Sequence, residues 1–164
     1  MKVLKEKDKI QFILKTLESL YPEPEIPLEH ENNFTFLVAV MLSAQSTDKK
    51  VNEITPSLFK TANSAEKMSK VETKEIQRLI KQIGLAPTKS KNIKKMSRQL
   101  LEKHNGEVPN NFEDLENLAG VGHKTASVIM SQAFNQPAFP VDTHIHRLAR
   151  RWGLSDGKNV TNTE

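Results

Sequence analysis

The strongest sign of chemistry in this sequence is a lysine that follows two glycines at the start of a predicted helix. Residues 118–126 read LAGVGHKTA, with Gly120 and Gly122 before Lys124. Backbone N–H groups converge at such a turn and helix start, and a phosphate is a favourable ligand there. A tight turn between two packed helices explains the same glycines, so the spacing alone leaves a turn and a phosphate site equally open.

The positions of Lys124 and Asp142 suggest what their side chains could do. Lys124 lies opposite the apolar stripe of its own helix, so its amine faces a cleft or solvent. A surface lysine that binds phosphate has the same pattern. Asp142 follows Pro140 and Val141 and is predicted to begin a helix as its N-cap.

The elements that must position these residues are all predicted to be helices. Apolar residues recur at helical spacing throughout the chain, and strand-like alternation is absent. The stretch from Phe34 to Leu42 is apolar on all sides, which predicts a fully buried helix. Gly84 is predicted to end a helix whose apolar face includes Ile76 and Ile83. The sequence therefore predicts an all-α protein built around the helix at 34–42.

Composition narrows the class of protein. Lysine and arginine outnumber acids 24 to 20, and this small excess permits a polyanionic partner without requiring one. The sequence has no cysteine, so disulfides, zinc–thiolate sites and iron–sulfur clusters cannot form within it. No apolar run is long enough to span a bilayer. These features predict a soluble cytoplasmic protein that does not bind membranes.

Five separated motifs together resemble the endonuclease III family of helix-hairpin-helix DNA glycosylases and abasic-site lyases. The stretch LAGVGHKTA differs from the family pattern LPGVGxKTA only at Ala119, where the family has proline. That change should make the turn less rigid. The resemblance extends from about residue 10 to near the end of the chain. The other motifs, in order, are MLSAQSTD at 41–48, IGLAPTKSKNI at 83–93, HNGEVP at 104–109 and VDTHIHR at 141–147.

The resemblance implies catalytic roles for two residues and a DNA-binding role for a third. The matching lysine, Lys124, is the nucleophile that attacks the sugar C1′ and forms a Schiff base. Asp142 is the carboxylate that stabilises positive charge on the sugar and helps to move a proton from Lys124. Gln45 fills the gap left by the extruded base, although a polar residue ending a buried helix is an equally good interpretation of the sequence alone. The hairpin residues implied to contact DNA are Leu118, Gly120, Val121, Gly122, His123 and Thr125.

The resemblance also implies a two-lobed fold. Residues 30–139 are predicted to form a helical barrel lobe that carries the helix-hairpin-helix motif at 112–134. Residues 1–29 and 140–164 are predicted to form a second lobe, with the DNA lying between the two. The last residues, TNTE at 161–164, have the spacing of a capping box, which opens helices. We therefore expect the C-terminal part of the fold to be incomplete.

No cofactor or metal site is predicted within these residues. Many family members hold an iron–sulfur cluster on four C-terminal cysteines, and this sequence has none. His144 and His146 are two residues apart, so on a helix they point in different directions. The basic residues predicted to contact the duplex backbone are Lys89, Lys91, Lys94, Lys95, Arg98, Arg147, Arg150 and Arg151.

The function predicted from the resemblance is base excision repair. The protein is expected to be a bacterial-type, nucleoid-associated monomer that binds double-stranded DNA with a damaged base or an abasic site. It would release oxidised pyrimidines and then cut the strand by β-elimination. The alternatives left open are a non-catalytic helix-hairpin-helix fragment that only binds DNA, and a helical protein in which the glycines form an ordinary turn. A monofunctional glycosylase is disfavoured by the lysine at position 124.

Overall fold

This computed structural model describes residues 6–160 and 163. These residues contain nine α-helices and no β-strand. The all-α prediction is confirmed. The predicted capping box at 161–164 lies outside the described residues, apart from Thr163. The helices are α1 Glu6–Leu20, α2 Asn33–Ser43, α3 Asp48–Thr61, α4 Ala65–Lys70, α5 Thr73–Leu79, α6 Ala86–His104, α7 Phe112–Glu116, α8 His123–Ala133 and α9 Thr143–Arg151.

The chain divides into two compact units. Residues 1–26 and 141–164 form one unit, which contains α1 and α9. Within it, Lys9 Nζ donates a hydrogen bond of 3.0 Å to the Trp152 carbonyl and so joins the two segments. Ile10, Leu14 and Leu17 recur at helical spacing and form an apolar stripe along α1, yet all three are exposed. None of the described residues covers that part of the stripe, so here an amphipathic pattern does not correspond to a buried face.

Residues 27–140 form the second unit, and α2 is its most buried helix. Its residues from Phe34 to Leu42 are all buried, as the uniformly apolar sequence predicts. A reciprocal capping box starts the helix: the Asn32 side chain accepts from the Thr35 amide at 2.9 Å, and Thr35 Oγ1 accepts from the Asn32 amide at 3.0 Å. An apolar helix with a satisfied N-terminus is a stable support for the elements that pack on it.

Two local predictions differ from the structure. The helix predicted to end at Gly84 ends at Leu79, and Ile83 lies in the following turn, where its amide donates to the Ile80 carbonyl at 2.9 Å. Ile80 and Ile83 are nevertheless buried, because a turn can direct apolar side chains into the core as well as a helix can. Helix α4 was not predicted, since its six residues are too few for a periodic pattern to be recognised.

No helix of the described residues is long and apolar enough to cross a lipid bilayer.

Candidate active site

The glycine hairpin joins α7 to α8, and its two glycines do different things. Gly120 has φ of 82°, a left-handed conformation that favours glycine. A Cβ atom there would lie 2.8 Å from both Asn92 Nδ2 and Met41 Cε, so the hairpin packs closely on α6 and α2 at this point. Gly122 is the N-cap of α8 and has no side-chain cap, and a Cβ atom on it would meet nothing within 4 Å. Gly122 therefore leaves the start of α8 open to a ligand.

The side chains of Leu118 and Val121 are buried, with 3% and 6% of their surface exposed. The turn is closed by the Val121 amide, which donates to the Leu118 carbonyl at 3.1 Å. Both residues were predicted to contact DNA. Their side chains are buried and anchor the turn, so that predicted contact falls to the main chain and stays a prediction.

Gln99 holds the turn at the position where the family pattern has proline. Its Oε1 accepts a hydrogen bond from the Ala119 amide at 2.8 Å, and its Nε2 donates to the Asn117 carbonyl at 3.0 Å. Proline has no N–H and could not make the first of these bonds. The side-chain clamp from α6 thus restrains the turn that the Ala119 substitution was expected to loosen.

This clamp predicts that substitutions at Gln99 and Ala119 have strongly coupled effects on the free energy of unfolding. Restoring proline with Ala119→Pro should give little net stabilisation, because the lost hydrogen bond offsets the reduced entropy of the unfolded chain. In a Gln99→Ala background the same change should stabilise the protein by about 0.4–1 kcal/mol. Urea unfolding of the four proteins measures the coupling, expected at about 1 kcal/mol. Additive effects would contradict the clamp.

His123 is held against α7 by two contacts. Its Nδ1 lies 2.5 Å from Glu116 Oε1, and its ring stacks on Phe112 with the ring centroids 5.5 Å apart. The side chain remains 55% exposed. A protonated His123 therefore has a carboxylate neighbour, so its charge is partly balanced before any phosphate approaches.

A concave pocket of about 230 Å³ brings three of the predicted site residues together. Gln45 enters it from the end of α2, and Lys124 and Thr125 enter it from the first turn of α8. Lys124 is exposed, whereas Ala126, Ile129 and Met130 on the same helix are buried. The remaining lining residues are Leu28, Val40, Ser43, Ala44 and Val128. The pocket thus combines a lysine with polar residues and an apolar part of the lining.

Gln45 and Leu85 both adopt left-handed backbone conformations, with φ of 59° and 61°. Gly84 links the two turns, since a Cβ atom on it would lie 3.6 Å from the Gln45 carbonyl oxygen. The Leu85 side chain is 56% exposed. Left-handed conformations outside glycine are strained and cluster at functional sites. Leu85 was not predicted, although a solvent-facing leucine is of the kind that minor-groove proteins insert between bases.

Two of the basic residues predicted to contact DNA are buried instead. Lys89 and Lys94 on α6 are only 7% and 9% exposed. Lys89 Nζ donates to the carbonyls of Leu42 and Ala44 at 2.9 and 2.5 Å, and Lys94 Nζ donates to the Val71 carbonyl. Burial lowers the pKa of Lys89 from its ordinary value. The spacing places Lys89 on the apolar face of α6, four residues before Ile93, but only the distant carbonyls that bind its amine account for its burial.

The other predicted phosphate contacts remain at the surface. Exposed side chains are those of Lys91, Lys95, Arg98, Arg147, Arg150 and Arg151.

Asp142 belongs to the other compact unit, where it is the N-cap of α9. Its Oδ1 accepts from the amides of His144 and Ile145 at 2.9 and 2.7 Å. Among the described residues no donor binds Oδ2. The preceding Val141 is buried and anchors the cap. The carboxylate is therefore fixed in direction by one oxygen and keeps the other available.

The described residues contain no group of three or more His, Asp or Glu side chains that could hold a metal ion. An iron–sulfur cluster needs cysteine thiolates, and the sequence contains none, so these 164 residues do not fit such a group.

Comparisons with known proteins show what the whole chain is similar to. Endonuclease III of Haemophilus influenzae is 46% identical over 152 residues, which are 93% of this chain and 72% of that protein. A solved structure of a trapped covalent intermediate of endonuclease III and DNA has a TM-score of 0.91 at 38% identity, covering 98% of this chain and 76% of that one. A non-covalent endonuclease III–DNA complex has a TM-score of 0.88 at 38% identity, covering 95% and 73%.

The family model for HhH-GPD superfamily base excision DNA repair proteins matches residues 38–164. This range includes Gln45, Lys124 and Asp142. The chain belongs to the HhH-GPD superfamily of base excision DNA repair proteins.

Proposed function

We propose that Lys124 is the nucleophile of an enzyme that removes oxidised pyrimidines from double-stranded DNA and then cleaves the strand at the abasic site. The enzyme class, a DNA glycosylase with abasic-site lyase activity, follows from the family and from its endonuclease III relatives. The observation that carries the assignment of Lys124 is its position in the pocket, as an exposed amine beside Gln45 on the first turn of α8.

The proposed reaction joins release of the base to cleavage of the strand. The neutral Nζ amine forms a bond to C1′ as the bond between C1′ and the base breaks, and the base departs with that electron pair and takes up a proton. The sugar ring opens as the amine loses its proton, and a Schiff base results. Loss of a proton from C2′ then forms a double bond between C2′ and C3′ as the bond between C3′ and the 3′ phosphate oxygen breaks, and the phosphate leaves with that electron pair, which nicks the strand. Water hydrolyses the remaining Schiff base and frees the Lys124 amine. Covalent chemistry of this kind is supported by the relative that was trapped as a covalent DNA intermediate.

Asp142 has a separate role in this proposal. Its carboxylate stabilises the positive charge that develops on the sugar and accepts a proton from Lys124. The two amide hydrogen bonds to Oδ1 support this role because they limit rotation of the side chain.

The hairpin and the exposed basic residues provide the contacts to the duplex. Gly122 opens the start of α8 to a phosphate. Exposed cations such as Lys91 and Lys95 add affinity that falls as salt rises. The lobes at 30–139 and at 1–29 with 140–164, the monomeric state and the nucleoid association stay predictions.

Three matched duplexes test the proposal. One carries an oxidised thymine, one an abasic site and one an unmodified thymine at the same position. We expect the protein to cut the first two and to leave the third intact. Cutting only at the abasic site would overturn the substrate class. Salt-sensitive binding to all three without cutting would instead favour the non-catalytic DNA-binding fragment.

A further inference from the structure

Lys89 is a buried lysine on α6 whose amine binds main-chain carbonyls at the C-terminal end of α2. Its Nζ donates to the carbonyls of Leu42 and Ala44, 47 and 45 residues earlier in the chain. Only 7% of its surface is exposed, and among the described residues no carboxylate pairs with it. Burying a charge without a counter-ion is expensive, and an apolar side chain of similar length would fill the space at lower cost. We therefore conclude that a lysine is needed here because it donates hydrogen bonds to the two carbonyls.

Those two carbonyls control the turn that follows α2. The last carbonyls of a helix lack partners within it, and they carry partial negative charge that a cation stabilises. Ala44 is the C-cap of α2, and Gln45 comes next with φ of 59°. Glycine most often occupies that left-handed position, and a glutamine there is strained. A strained residue persists only when its surroundings hold it.

The turn held by Lys89 is part of the pocket that contains Lys124. Ala44 and Gln45 both line that pocket. The Ser46 amide donates to the Ser43 carbonyl at 3.0 Å. The carbonyls before and after it, those of Leu42 and Ala44, accept from Lys89. Lys89 therefore connects α6 to the backbone that carries Gln45.

We propose that Lys89 is a positioning residue for base extrusion, and that it acts by holding the Ala44–Gln45 turn so that the Gln45 side chain stays in the pocket. This inference rests on the proposed function, in which Gln45 fills the gap left by the extruded base. Lys89 touches neither the DNA nor the reacting atoms.

Lys94 provides a matched control. It is a second buried lysine on α6, 9% exposed, and it also donates to a main-chain carbonyl, that of Val71. It does not line the Lys124 pocket. Lys94→Met and Lys89→Met thus remove the same kind of bond from the same helix, and only the second of them affects the Gln45 turn.

The test is a double-mutant cycle measured on the reaction. Lys89→Met, Lys94→Met and Gln45→Ala are made alone, and the two lysine changes are also made in the Gln45→Ala background. Single-turnover rates are measured on duplexes with an oxidised thymine and with a preformed abasic site. All rates are taken at a temperature at which circular dichroism finds every variant folded. Lys89→Arg, which keeps a donor, is measured alongside Lys89→Met and carries the cycle alone if Lys89→Met does not fold.

We expect Lys89→Met to slow release of the oxidised base about tenfold, with a smaller effect on the abasic duplex, which has no base to unstack. In the Gln45→Ala background the same change should alter the rate less than about twofold. Lys94→Met should lower the melting temperature and leave both rates near those of the wild type. Lys89→Arg should slow base release less than Lys89→Met does.

Two results would overturn the inference alone. One is an equal loss of rate from Lys89→Met whether residue 45 is Gln or Ala. The other is a loss no larger than that of Lys94→Met, with the wild type active. A wild type that cuts neither duplex overturns the proposed function and this inference together.

Discussion

Lys124→Gln is expected to abolish the covalent adduct that borohydride traps between the protein and a duplex with one abasic site. Glutamine has no nucleophilic amine, so no Schiff base forms and no secondary amine is left after reduction. Strand cleavage should fall by at least about 10³-fold, as is typical when a nucleophile is removed. The adduct is read as a slow band of the end-labelled strand on a denaturing gel.

The folded state should tolerate this change. Lys124 is exposed in the first turn of α8, so the free energy of unfolding should change by less than about 0.5 kcal/mol. Lys60→Gln is the control, since it removes one exposed positive charge outside the pocket and should leave the adduct intact. An adduct that persists at the wild-type level in Lys124→Gln would contradict the assigned nucleophile.

Asp142→Asn is expected to slow release of the oxidised base on the order of 10²- to 10³-fold while leaving stability almost unchanged. Asparagine caps a helix about as well as aspartate does, so it can replace Oδ1 as the acceptor for the amides of His144 and Ile145. It carries no negative charge, and the charge developing on the sugar would lose its stabilising partner. Single-turnover kinetics and thermal unfolding measure the two effects separately.

Asp142→Ala distinguishes the cap from the catalytic role. It removes both the cap and the charge, so it should lose activity as Asp142→Asn does and also about 1 kcal/mol of stability. If Asp142→Asn instead retains activity within about threefold, Asp142 is only the N-cap of α9.

The local pattern of apolar residues predicted the positions of helices correctly, but it predicted their burial only in part. The uniformly apolar stretch from Phe34 to Leu42 predicted the buried helix α2. The apolar stripe of α1 predicted a helix correctly but said nothing about a covering surface, and Ile10 and Leu17 are exposed. Periodicity describes a single element, whereas burial depends on what packs against that element.

The features of the candidate site also fall into two groups, those that depend on a few neighbouring residues and those that depend on distant parts of the chain. The glycine hairpin, the lysine on the first turn of α8 and the N-cap at Asp142 are local features, and the sequence predicted each of them. The clamp from Gln99 to Ala119 spans 20 residues, and no local pattern contains it. The same holds for the close packing of Gly120 on Asn92 and Met41.

The sequence by itself determined that this chain is helical, that it carries the hairpin and that Lys124 faces away from the core of its own helix. Only the tertiary structure decided that Lys89 and Lys94 are buried and that Gln45 shares a pocket with Lys124. The reason is physical. Capping, turn chemistry and helical period act over a few residues, whereas a lysine is drawn into the core only when distant carbonyls arrive there to bind it.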